Sequence, residues 1–126
     1  MRLLIADSDP TMTELYESYF SDKGYDVTAV GNGIQCIDAI REQMPDVLVL
    51  EHKLPWGGDD GILECLRQDY PFTSPEVVLL DSHGASGQQQ RNPHSDVRAH
   101  LHKPFLMRDL HKLVQSVGQP QVAAHR

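Results

Sequence analysis

At 126 residues, with 40% apolar and 23% charged residues, the chain has the size of one domain and the composition of an ordinary globular protein. No apolar run approaches the roughly 18 residues of a membrane span, and Met1 opens directly into Arg2-Leu3-Leu4-Ile5-Ala6, too short for a signal-peptide core, so a cytoplasmic setting is expected. The net charge of −7 argues against direct nucleic-acid binding. Leu3–Ala6 is a short apolar run ending in acidic residues, consistent with a buried strand. From Pro10 the period becomes helical through Met12, Leu15, Tyr16, Tyr19 and Phe20, and Gly24 stops the helix. Tyr25–Val30 reads as a second strand. Asn32 suits the cap of a second helix with Ile34, Ile37, Ile40 and Met44 on its buried side.

Val47-Leu48-Val49-Leu50 and Val77-Val78-Leu79-Leu80 are uninterrupted apolar runs, as expected of parallel strands covered by helices on both faces. Between them lie a loop, Glu51–Gly61, and a helix through Ile62, Leu63, Cys65 and Leu66. Val97–Leu101 is more polar and suits a sheet edge. Leu106, Leu110, Leu113, Val114 and Val117 form the stripe of a last helix. Residues 1–118 are read as the domain and 119–126 as a tail or the start of a linker. Cys36 and Cys65 sit among apolar neighbours and read as reduced core thiols.

Strands and helices thus alternate into a doubly wound α/β domain with a five-stranded parallel sheet. In such sheets ligands bind beyond the carboxyl ends of the strands. The residues there are Asp7-Ser8-Asp9, Glu51, Asp81 and Lys103.

Leu4-Ile5-Ala6-Asp7-Ser8-Asp9-Pro10, Val47–Glu51 with Pro55 downstream, Val77–Ser82, and His102-Lys103-Pro104-Phe105 keep one order and spacing. Together they resemble the response regulator receiver domain of two-component signalling. The resemblance implies a flavodoxin-like, CheY-like sheet of order 2-1-3-4-5. It places Glu51 at the phosphoacceptor position, Asp7 and Ser8 at the acidic pair, Asp81 and His100 at the switch positions, and Lys103 as the lysine that neutralises the phosphoryl oxygens. Any Mg²⁺ would be held by Asp7, Glu51 and the backbone carbonyl of Lys53.

Three departures weaken that chemistry. Glu51 replaces an aspartate and carries its carboxylate outward by one methylene, toward where a phosphoryl group would sit. Ser8 supplies a neutral hydroxyl where a hard cation wants a carboxylate. Asp81 brings a like charge where a hydroxyl donor belongs. The expected result is a weak or absent metal site, no cofactor, and Lys103 held by Glu51 and Asp81. The leading functional reading is an atypical, phosphorylation-independent interaction module and not an enzyme. A working Mg²⁺-dependent phosphoacceptor is the alternative. A small flavin- or nucleotide-binding protein is a third, although Asp7-Ser8-Asp9-Pro10 would repel a phosphate.

The acidic charge lies in residues 1–81, with sixteen Asp and Glu against five Lys and Arg; residues 82–126 hold two against six, and six of the seven histidines. That basic third suits an acidic partner or a solvated face. The histidine spacings match no compact zinc pattern. The segment 83–95 has two glycines, a proline and little apolar content, so the usual helix between the fourth and fifth strands is expected to be degenerate, exposing apolar surface near Val78, Leu80 and Leu101. A histidine kinase or a downstream effector is the expected partner, with self-association through the fourth-strand, fifth-strand and last-helix face as a further expectation. The loop after Glu51 is about two residues longer than usual in the family. Trp56 at its tip is expected to pack on its own loop, an exposed partner anchor being the other reading.

Overall fold

The computed structural model describes residues 1–69, 75–81 and 97–118. In chain order these form β1 (Arg2–Ala6), α1 (Pro10–Asp22), β2 (Asp26–Val30), α2 (Gly33–Gln43), β3 (Val47–Glu51), α3 (Gly58–Asp69), β4 (Glu76–Asp81), β5 (Val97–His102) and α4 (Met107–Gly118). The strands are all parallel and run β2-β1-β3-β4-β5 across one sheet. This is the CheY-like receiver fold.

The apolar runs are buried on both faces because alternate side chains serve different helices. Leu3, Ile5, Val47, Val49, Val78 and Leu80 face α1 and α4, where Tyr16, Phe20, Leu110 and Val114 complete the packing. Leu4, Ala6, Leu48, Leu50, Val77 and Leu79 face α2 and α3. Each fully buried aliphatic side chain contributes about 2 kcal/mol of transfer free energy. Helix starts follow the expected chemistry. Asp9 accepts the Thr11 N–H and Pro10 opens α1, while Asn32 accepts the Gln35 N–H at the start of α2.

Several expectations need correction. Val78 and Leu80 are fully buried, because strand alternation turns them toward α1 and α4, while Leu101 is half-buried. Ile34 and Met44 are exposed rather than buried. Met44 is the left-handed residue that ends α2, with φ 48°, so its side chain leaves the helical phase. Leu15 and Leu106 are exposed as well. The loop after β3 is shorter than expected, since α3 already begins at Gly58. The expected degenerate segment 83–95 and the tail lie outside the described residues. No helix among the described residues is long and apolar enough to cross a membrane.

Candidate functional site at the carboxyl ends of the strands

Four strand ends bring the predicted residues to one edge of the sheet, and the pleat then sorts them. Ile5, Val49 and Leu101 pack on the α1 and α4 side. Two residues further along each chain segment, Asp7, Glu51 and Lys103 continue on that side. Asp81 follows Leu79 on the other side, and His100 is in register with Leu79 and His102 with Asp81. The predicted set is therefore divided.

On the first side a connected ionic cluster forms. The Lys103 ammonium lies 2.9 Å from Asp7 Oδ2 and 3.7 Å from Glu51 Oε2. Asp7 is fully buried, whereas the side chains of Glu51 and Lys103 keep 17% and 21% of their surface accessible. The Tyr16 hydroxyl, on the buried face of α1, donates to Asp7 Oδ2 at 2.7 Å. The Asp9 N–H donates to Asp7 Oδ1 at 3.0 Å, and the Ser8 N–H donates to Glu51 Oε1 at 2.7 Å. Among the described residues no buried side-chain polar atom lacks a partner. Burial raises the Tyr16 phenol well above its ordinary pKa of 10.0, and its hydrogen bond to Asp7 raises it further, so it stays a donor.

Lys103 therefore pairs with Asp7 and Glu51 and not, as expected, with Asp81. The physical reason is the pleat: Asp81 points to the opposite side, and it meets the lysine through the backbone, where its carbonyl accepts the Lys103 N–H at 2.8 Å. The Lys103–Pro104 peptide is cis. His100 and His102 are both exposed on β5. Asp9, expected beside Asp7, is spent on capping α1.

Two features escaped the sequence reading. Tyr16 reads in the sequence only as an apolar residue of α1, although a buried phenol needs a hydrogen-bond partner and Asp7 is the acid on its side. His52 and Asp59 form the other: Nδ1 of His52 lies 2.9 Å from Oδ2 of Asp59, a buried acid in the first turn of α3, and the pair clamps the loop that follows Glu51. Trp56, expected to pack on that loop, is 72% exposed.

Residues 3–115 match the response regulator receiver domain family. The chain belongs to that family. It is 30% identical over 86% of its length to the DNA-binding response regulator MtrA of Mycolicibacterium smegmatis, of which it covers 46%. It is 27% identical over 82% of its length to sporulation initiation phosphotransferase F of Bacillus subtilis, covering 82% of that protein. The chain thus spans about half of the first relative and most of the second. Among solved structures, the receiver domain of Francisella response regulator 1452 superposes with a TM-score of 0.81 at 23% identity, over 93% of this chain and 95% of that one. The receiver domain of the Pseudomonas aeruginosa sensor histidine kinase PA1611, solved with magnesium in its active-site cleft, gives 0.78 at 22% identity, over 94% and 98%. These likenesses carry the fold.

In this receiver domain the donors present do not fit a hard dication. Both oxygens of Asp7 already accept protein donors, one of them an ammonium at 2.9 Å, and Glu51 Oε1 takes the Ser8 N–H. Ser8 offers no second carboxylate. Among the described residues no group of three or more His, Cys, Asp or Glu is arranged to hold a metal ion.

Proposed function

We propose that this receiver domain works in two-component signalling as a phosphorylation-independent interaction module, presenting one standing arrangement of its strand ends to a signalling partner. The observation that carries this reading is the contact of Lys103 with Asp7 and Glu51, with Ser8 N–H closed onto Glu51. A lysine at this position has to neutralise incoming phosphoryl oxygens; here it already neutralises two carboxylates. Glu51 brings one negative charge toward the place of a phosphoryl group, against roughly 1.5 to 2 for a phosphate. The module is not an enzyme in this reading, and its partners are a histidine kinase, a phosphotransferase or a downstream effector.

The test is intact-mass measurement after incubation with acetyl phosphate and Mg²⁺. We expect no added phosphate. A stoichiometric, hydroxylamine-labile adduct mapped to Glu51 would establish the domain as a working phosphoacceptor instead.

A further inference from the structure

The pleat that turns Asp81 away from Lys103 also places two histidines on the far side of the sheet. β5 is an edge strand, with β4 as its neighbour in the sheet. Its register with β4 shifts once: Val77 is level with Val97 and Val78 with Ala99, so Arg98 is an extra residue in a bulge. Without that residue Val97 and Ala99 would share a face. With it, Val97 packs on the α2 and α3 side, while Ala99 and Leu101 pack on the α1 and α4 side. His100 and His102 alternate with Ala99 and Leu101 and therefore stand together on the α2 and α3 side, His100 level with Leu79.

Two histidines at this spacing make a chelate. Positions two apart on a parallel strand have Cα atoms roughly 6.6 Å apart, twice the rise per residue. Imidazoles standing side by side at that separation can tilt onto one ion, at about 2.0–2.1 Å from each ring nitrogen. Both residues are exposed, and among the described residues neither imidazole is engaged in a hydrogen bond, ion pair or ring contact. Binding would thus break no existing contact. The nearest cation on the strand, Arg98, is taken up by Glu76 at 3.1 Å.

Imidazole suits Zn²⁺, Ni²⁺ and Cu²⁺, whereas Mg²⁺ prefers carboxylate, carbonyl and water oxygens. We propose that His100 and His102 bind one transition-metal dication at the β5 edge, as a two-imidazole site completed by water. The site lies on the opposite face of the sheet from the ionic cluster and does not depend on whether Glu51 can be modified. An ion there fixes both rings in one orientation and adds positive charge to the edge, an input that bypasses the acids at the strand ends.

Calorimetric titration of the untagged full chain with Ni²⁺, Cu²⁺ and Mg²⁺ tests this, and proton NMR of the histidine side chains locates the ion. The expected result is binding of Cu²⁺ more tightly than Ni²⁺, with no Mg²⁺ at these rings. The His100 and His102 signals should broaden first as Ni²⁺ is added. His100→Ala and His102→Ala should each weaken Ni²⁺ binding on the order of 10-fold or more, because the second arm of a linked pair is lost. Both positions are exposed, so the melting temperature without metal should stay near that of the parent. His111→Ala, which removes a ring packed against Tyr19, Phe20 and Tyr25, should leave Ni²⁺ affinity unchanged. A chain that binds no Ni²⁺ at millimolar concentration overturns the proposal. Ni²⁺ binding that survives either single substitution at full strength, or that broadens other histidines first, overturns it equally.

Discussion

The Tyr16 hydroxyl reaches across from α1 to the end of β1 and donates to Asp7 Oδ2 at 2.7 Å, placing a phenol in the same carboxylate contact as the Lys103 ammonium. Both partners of this hydrogen bond are fully buried. Asp7 is thereby supplied with protein donors on each oxygen, and its charge is balanced from inside the fold.

Replacing Tyr16 with phenylalanine keeps the ring and removes the donor. Leaving a buried carboxylate one hydrogen bond short costs about 1–3 kcal/mol. Urea unfolding at neutral pH should show a loss in that range, with an unchanged slope.

The pH dependence follows from the same residue and from Cys36. Burial, with a smaller effect from neighbouring Cys65, pushes the Cys36 thiol from its ordinary 9.0 up to about 12. Burial and Asp7 raise Tyr16 from 10.0. Both groups hold their proton more tightly folded than unfolded. Their stabilisation is thus complete below the ordinary values and is lost as pH rises through and beyond them. The melting temperature should be insensitive to these groups up to about pH 9 and fall above it. Tyr16→Phe should make the alkaline fall shallower while starting from a lower value. An identical alkaline slope in the variant would exclude Tyr16 as a contributor.

Removing the ammonium has a larger effect. Lys103→Ala leaves a fully buried aspartate beside Glu51 without its cation, a change that typically costs about 3–5 kcal/mol. Adding Asp7→Asn should recover part of that loss, because the uncompensated charge disappears. A double-mutant cycle by chemical denaturation reads the coupling directly.

Ser8→Asp tests the metal chemistry. The side chain at this position makes a second carboxylate possible next to Asp7, which crowds like charges unless a dication arrives. Millimolar Mg²⁺ should leave the melting temperature of the parent unchanged and raise that of the variant, since a ligand bound only by the folded state stabilises it. Equal responses would show that Ser8 does not limit cation binding.

Gly33→Ala and Gly61→Ala form a contrasting pair. At Gly33 the new methyl meets the Trp56 carbonyl oxygen and carbon, at 1.9 and 2.8 Å, and backbone cannot rotate aside. The loop must shift, at about 1–3 kcal/mol. At Gly61, inside α3, nothing lies within 4 Å, and alanine should stabilise the helix by up to about 1 kcal/mol. Thermal melts of both variants check the signs.

Much of this was legible in the residues. The doubly apolar runs at Val47–Leu50 and Val77–Leu80 identified central parallel strands, and Pro10 and Asn32 marked helix starts. The convergence of Asp7, Glu51 and Lys103 followed from their places after strands. What sequence position left open was direction. Asp81 sits after a strand like the others, but one step of the pleat turns it away, and Lys103 takes Asp7 as its nearest acid. Helical spacing placed Ile34 and Met44 on a buried side, yet both stand at the ends of α2 and are exposed. Tyr16 was hidden by its own apolar ring.

The ionic cluster also has an order in time. Asp7 leaves the ribosome with the first strand, whereas Lys103, the ammonium that neutralises it, follows β5. Until that residue emerges, a nascent chain holding β1 against β3 would bring Asp7 and Glu51 together with no lysine between them. Like-charge repulsion at that edge would disfavour early closure of the central strands during synthesis and favour concerted folding over a partly assembled sheet.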